Sequence, residues 1–154
     1  MIELKRIGHV LLRVTDVERS KSFYTKVLGF QFREEDPGHG GVFLGLGEYG
    51  HTVDLMPIEK ADAAVRTQNT LGVQHIAFQV DSEEALKSSY FELQDLGVEI
   101  VRAMDHVSQK SIYFRDPDGN MLEIYYELPH ALELFRRGRG DQDRPITFER
   151  PVVR

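Results

Sequence analysis

Apolar and polar residues alternate in stretches that echo one another along the chain. Successive side chains of a strand face opposite sides, so Val10, Leu12 and Val14 share a face opposite Ile7, His9, Leu11 and Arg13. Ile76, Phe78 and Val80 oppose His75, Ala77 and Gln79 in the same way. Val53 and Leu55 oppose Thr52, Asp54 and Met56, and Leu122, Ile124 and Tyr126 oppose Met121, Glu123 and Tyr125. Each time one face is wholly apolar and suited to packing under a helix, while the other carries a histidine or an acid. The pattern predicts a strand over 5–14 and a helix over Val17–Leu28. Thr15 or Asp16 caps that helix, Glu18 lies in its first turn and Gly29 is its left-handed stop. Strands follow near 30–35, 42–47 and 51–56, joined by glycine-rich turns at 38–41 and 48–50. The order then repeats: a strand over 73–80, a helix over 83–96 capped by Asp81 or Ser82, and strands near 98–103, 111–115 and 121–127. Asp116-Pro-Asp-Gly119 marks a hairpin turn, since proline sets one φ and glycine supplies the positive one.

The chain therefore contains itself twice, with a period of 66 residues from His9 to His75. A tyrosine, Tyr24 or Tyr90, stands 15 residues after each histidine, and Leu28-Gly29 is echoed by Leu96-Gly97. Asp54 lies 45 residues after His9, and Glu123 lies 48 after His75. Two such units related by a pseudo-twofold would bring His9, Asp54, His75 and Glu123 towards one centre. The expected fold is α+β: two tandem βαβββ units forming a cupped, half-barrel mixed sheet with helices outside. Residues 1–128 are expected as one domain, with units 4–57 and 72–128 and a polar linker over 58–71. Residues 129–154 form a C-terminal helix and tail: a short helix at His130–Arg137, a polar stretch to Arg144, and an extended strap from Pro145. That strap is expected on a sheet edge or on a partner subunit.

Composition narrows the function classes. A chain of 154 residues suffices for one domain with a sizeable core. Its net charge of −6 and pI near 5.5 offer no basic field for nucleic acid. It has no cysteine, which removes disulfides, thiolate ligands and thiol nucleophiles. No apolar run reaches the ~20 residues of a membrane span. The apolar start is broken by His9 and Arg13, unlike a signal peptide. A cytoplasmic protein acting on a small molecule is the expectation.

Strand–helix–three strands, duplicated, with a histidine opening each half, resembles the vicinal oxygen chelate superfamily. Its members include glyoxalase I, extradiol catechol dioxygenases, methylmalonyl-CoA epimerase, and fosfomycin- and bleomycin-resistance proteins. The resemblance covers about residues 4–128. It is most specific at Arg19-Ser-Lys-Ser-Phe-Tyr-Thr-Lys-Val-Leu-Gly29 and at Ser111-Ile-Tyr-Phe-Arg-Asp-Pro-Asp-Gly-Asn-Met-Leu-Glu-Ile-Tyr125. It implies a divalent metal on His9, His75 and Glu123, the ligand positions of the extradiol dioxygenases. Two histidines and a carboxylate suit Fe(II) first, with Ni(II), Zn(II) or Mn(II) as alternatives. Tyr113 resembles the tyrosine that contacts the catecholate, and His106, in Asp105-His-Val-Ser108, the acid–base or substrate-binding histidine. Those enzymes commonly carry two modules where this chain has one, and His51 is only loosely placed for a histidine expected near the end of the first unit.

The competing resemblance is to glyoxalase I and the epimerases, with Asp54 as a fourth ligand to Ni(II) or Zn(II). Arg13 would then match a glutathione-contacting arginine. Asp54 is one methylene shorter than the usual glutamate there. A third reading is a non-catalytic drug-binding protein of the resistance type, against which the complete His/His/Glu set weighs. The substrate implied is an aromatic diol or an α-oxo/thiol adduct, and a homodimer is expected because single modules leave many edge strands. Plainer readings stand beside these. Asp54 can be solvated or paired with Arg13, and Tyr113 can be an ordinary strand aromatic. His106 is expected as a surface histidine, and His39 and His51, beside glycines, as turn residues.

Overall fold

The duplication in sequence is a duplication in structure. A computed structural model describes residues 1–58, 71–138 and 142–150, and the chain divides into two units, Met1–Thr70 and Leu71–Arg154. In the first, β1 (Val10–Val14) leads to α1 (Val17–Lys26), then β2 (Gln31–Glu35), β3 (Val42–Gly45) and β4 (Val53–Pro57). In the second, β5 (Ile76–Gln79) leads to α2 (Glu83–Asp95), β6 (Ile100–Asp105), β7 (Gln109–Arg115) and β8 (Met121–Glu127). A short α3 (Ala131–Arg137) and the two-residue β9 (Arg144–Pro145) follow. The sheets run β1-β4-β3-β2 and β5-β8-β7-β6-β9. In both, the first strand pairs parallel with the last strand of its repeat and the other pairs are antiparallel, so the sheets are mixed as expected.

Local signals account for the helices. The Asp16 side chain accepts from the Arg19 N–H at 3.0 Å, and the Ser82 hydroxyl accepts from the Ala85 N–H at 3.0 Å. Gly29 and Gly97 both take φ of 72°, which lets the chain leave each helix at the same point of the repeat. At α2 the stop is a full Schellman motif, with the Gly97 N–H on the Gln94 carbonyl and the Val98 N–H on the Leu93 carbonyl. The apolar strand faces form the two cores. Val14, Leu44, Val53 and Leu55 are buried in the first unit, and Leu86, Ile112, Phe114 and Leu122 in the second.

Some expected bounds need correction. The first strand begins at Val10 and not at residue 5, because its partner β4 begins at Val53 and the chain before Val10 has no ladder to join. His9 and His75 thus each stand just before a strand, and β5 is likewise shorter than expected. The β6–β7 hairpin is longer than expected, with pairing to Asp105↔Lys110. Most of the expected linker, 59–70, and residues 139–141 and 151–154 lie outside the described residues. The strap falls on a sheet edge: Pro145 pairs with Met104, Arg144 with Asp105, and the Ile146 N–H donates to the Ala103 carbonyl at 3.1 Å. None of the described helices is long and apolar enough to cross a membrane.

One side chain fixes the loop that enters β4. Arg33 on β2 donates to the carbonyls of Gly47 at 2.7 Å, Tyr49 at 2.9 Å and Gly50 at 3.1 Å. Gly45 lies against this clamp: a Cβ there would stand 2.5 Å from Arg33 Nε and 2.7 Å from the Tyr49 carbonyl oxygen. Gly45→Ala is expected to lose about 1–3 kcal/mol in urea denaturation, the cost of overpacking. Gly8→Ala, with nothing within 4 Å of the added carbon, is expected to stay within about 0.5 kcal/mol of the parent. Equal stability of the two variants would show that the clamp yields freely.

Candidate functional site

In the first unit, alternation turns Asp54 away from the apolar face of β4, whose Val53 and Leu55 are fully buried. Its Cα partners are Leu11 on β1 and Phe43 on β3. His9 approaches from the residue before β1, with its Nε2 3.8 Å from Asp54 Oδ2. His51 approaches from the end of the clamped loop, with its Nδ1 2.7 Å from Asp54 Oδ1. The two imidazoles stack at 4.3 Å between centroids and 25° between planes, and Phe43 meets His51 edge-on at 5.6 Å. His9, His51 and Asp54 each offer one ligand atom, all within 4.8 Å of one another.

These contacts correct the plainer expectations. Asp54 is 3% exposed, so it is not solvated. Arg13 donates to the Pro57 carbonyl at 3.1 Å, and Asp54 is bonded to His51. His51 is no mere turn residue, for its ring joins Asp54 and His9, whereas exposed His39 does cap a turn through Asp36.

In the second unit, Glu123 occupies the corresponding place on β8, with Ala77 and Tyr113 as Cα partners on β5 and β7. His75, just before β5, sets Nε2 3.0 Å from Glu123 Oε2. Gln109, Ser111 and Tyr113 are alternate residues of β7 and share the face that meets Glu123. Gln109 Nε2 donates to Glu123 Oε1 at 3.0 Å and to Ser111 Oγ at 3.2 Å. The Tyr113 ring stands edge-on to His75 at 5.6 Å and 86°, and the Arg102 guanidinium lies over it at 4.3 Å. Burial and the neighbouring Glu123 carboxylate push the Tyr113 hydroxyl above the ordinary tyrosine value of 10.0. His106 Nε2 lies 3.0 Å from the Tyr113 hydroxyl, so His106 faces inward and not to the surface as expected.

The structure thus gathers the sequence candidates in two groups: His9 with Asp54, and His75 with Glu123, Tyr113 and His106. His51, Gln109 and Ser111 were missed. The β7 pair was within reach of alternation, since Gln109 and Ser111 lie four and two residues before Tyr113, while His51 offered only its place three residues before Asp54. A divalent cation fits the first set, with three ligand atoms within 4.8 Å of one another, and His75 with Glu123 offers two ligand atoms in the second unit. Asp54 and Glu123 are acceptor-only groups, 3% and 2% exposed, and among the described residues their partners are imidazoles, an amide and a hydroxyl, without Lys or Arg.

Comparison with known proteins gives the same picture. The profile of the glyoxalase/bleomycin resistance protein/dioxygenase superfamily matches residues 6–124. Biphenyl-2,3-diol 1,2-dioxygenase 3 of Rhodococcus globerulus is 33% identical over 77% of this chain, which spans 62% of that enzyme's length. Glyoxylase I 4 of Arabidopsis thaliana is 29% identical over 80% of this chain and 71% of its own. Among solved structures, a glyoxylase/bleomycin resistance protein/dioxygenase domain from Frankia sp. EAN1pec superposes with a TM-score of 0.71 over 82% of this chain and 100% of its own, at 21% identity. With its duplicated βαβββ units and a buried acid beside a histidine in each, the chain belongs to the glyoxalase/bleomycin resistance protein/dioxygenase superfamily.

Proposed function

We propose that the chain is a metal-dependent enzyme of the extradiol type, which opens the ring of an aromatic diol beside its hydroxyl-bearing carbons. Fe(II) on His9, His75 and Glu123 is the cofactor in this reading. The observation that carries it is the hydrogen-bonded pair of His106 and Tyr113 set beside His75 and Glu123. A two-histidine, one-carboxylate set with no acid–base neighbour would serve binding as well as turnover. Here a proton-exchanging ring stands one hydrogen bond from a hydroxyl that borders the proposed ligands.

The bound cation would supply a Lewis-acidic, redox-active centre for diol and dioxygen. The remaining work falls to the chain. Gln109 holds one oxygen of Glu123, leaving the other, beside His75 Nε2, to join that nitrogen as a ligand. Tyr113, with its pKa raised, stays a hydroxyl at neutral pH and can donate to a substrate oxygen. His106 is placed to take up or return the proton that the diol gives up. The working form is proposed to be a homodimer, since β1 and β5 remain sheet-edge strands. A single monomeric species in sedimentation velocity would remove that part.

A second reading is favoured by one observation, the buried Asp54 beside His9. With Asp54 as a further ligand to Ni(II) or Zn(II), the site would move a proton between adjacent carbons of a hemithioacetal or thioester, as in glyoxalases and epimerases. Metal content and turnover separate the two. His75→Ala is expected to weaken metal binding by at least about 10-fold and to abolish oxygen uptake with catechols. Asp54→Ala is expected to keep its iron and its oxygen uptake. Loss of metal in Asp54→Ala, with no catechol turnover by the parent, would give the second reading the lead.

Tyr113→Phe is expected to hold metal as the parent does and to lose about 10²-fold in kcat with a catechol. Because the Tyr113 pKa is raised, the hydroxyl form persists as pH rises. Activity that depends on it should fall only on the alkaline side of the ordinary tyrosine value, and that limb should vanish in Tyr113→Phe. An unchanged kcat would remove Tyr113 from the chemistry.

A further inference from the structure

The hairpin tip between β6 and β7 carries more constraint than a surface turn requires. Val107 sits at φ 68°, a left-handed conformation that strains a β-branched residue. The turn is held closed around it. The Val107 N–H donates to Asp105 Oδ1 at 2.8 Å, the Ser108 N–H to the His106 carbonyl at 2.7 Å, and the His106 N–H to the Gln109 carbonyl at 2.8 Å. This fixes the backbone of His106, but the backbone alone does not set which ring nitrogen carries a proton.

A residue from far along the chain does. The strap that lays β9 on the outer edge of β6 brings Asp143 Oδ2 to 2.8 Å from His106 Nδ1. The other nitrogen, Nε2, is the one 3.0 Å from the Tyr113 hydroxyl. A carboxylate can only accept, so a hydrogen bond to it requires a proton on Nδ1. Two arrangements then satisfy the Tyr113 contact. In one, Nε2 is bare and accepts from the tyrosine O–H. In the other, Nε2 is protonated and donates to the tyrosine oxygen while its O–H turns to Glu123. Both keep Nδ1–H, and they differ only in the proton on Nε2.

We infer that Asp143 is a positioning residue that reserves Nε2 of His106, the nitrogen facing Tyr113, as the atom that gains and loses a proton. In such a transfer an O–H bond of the substrate breaks and an Nε2–H bond forms. The resulting imidazolium keeps its Nδ1 hydrogen bond to Asp143, and the proton returns by the reverse step. This deepens the reading of His106 given above and supplies what the βαβββ repeats lack: the carboxylate comes from beyond them, on the strap.

The tautomer can be read without turnover. Side-chain ¹⁵N NMR of the full chain is recorded at alkaline pH, where the imidazole is neutral, with His106→Ala used only to assign the signal. The parent is expected to carry the His106 proton on Nδ1. Asp143→Ala is expected to move it to Nε2, and Asp143→Glu to restore it. A parent ring protonated on Nε2, or an Asp143→Ala ring still protonated on Nδ1, would overturn the inference. With a catechol substrate, Asp143→Ala should lower kcat about 10- to 100-fold with KM within about twofold, and Asp143→Glu should recover most of it. If the parent turns over no catechol, the dioxygenase reading falls, while the NMR result still decides the role of Asp143.

Discussion

Two carboxylates taken out of water govern the arrangement of this molecule. Asp54 and Glu123 lie on sheet faces at 3% and 2% exposure, and an ionised group so placed is costly unless its lone pairs are met. In the second unit the demand is met by His75, from the residue before the first strand, together with Gln109 and Tyr113. In the first unit the corresponding His9 stands 3.8 Å off, and His51 makes the hydrogen bond at 2.7 Å. Among the described residues neither acid is met by a lysine or arginine, and the first set brings three ligand atoms within 4.8 Å, an arrangement that suits a divalent cation.

The parallel pairing of first and last strands makes this placement repeatable. Because β1 lies against β4 and β5 against β8, a histidine just before one strand is brought to an acid within the other. The intervening helix covers the apolar face, and the hairpin extends the same sheet. The units then diverge. The histidines are exposed alike in both, but the first pairs two imidazoles at its acid, whereas the second buries Tyr113 and surrounds its acid with further hydrogen-bonding groups. A duplicated frame has thus yielded two differently furnished halves.

Much of this was legible in the sequence because period-two alternation fixes where a strand residue points. Asp54 and Glu123 take the faces that their neighbours dictate. Helix caps and glycine stops were equally local, and Asp16, Ser82, Gly29 and Gly97 behave as their types dictate. What escaped was set by partners distant in sequence. The start of β1 depends on where β4 begins, the inward turn of His106 on a strained Val107, and the contact of Asp143 on a strap laid along β6. His51 escaped for a different reason: glycine-flanked histidines usually belong to turns, and only the loop's clamping makes this one a partner of Asp54.

That clamp ties an exposed arginine to an interior event. Arg33 faces solvent on an edge strand, yet its three carbonyl contacts end one residue before His51. The stacking of His51 on His9 is therefore under the control of a side chain that touches neither ring. In a deep substitution survey, position 33 would stand out as a solvent-facing residue intolerant even of lysine, since a single ammonium cannot reproduce a planar fork reaching Gly47, Tyr49 and Gly50 together.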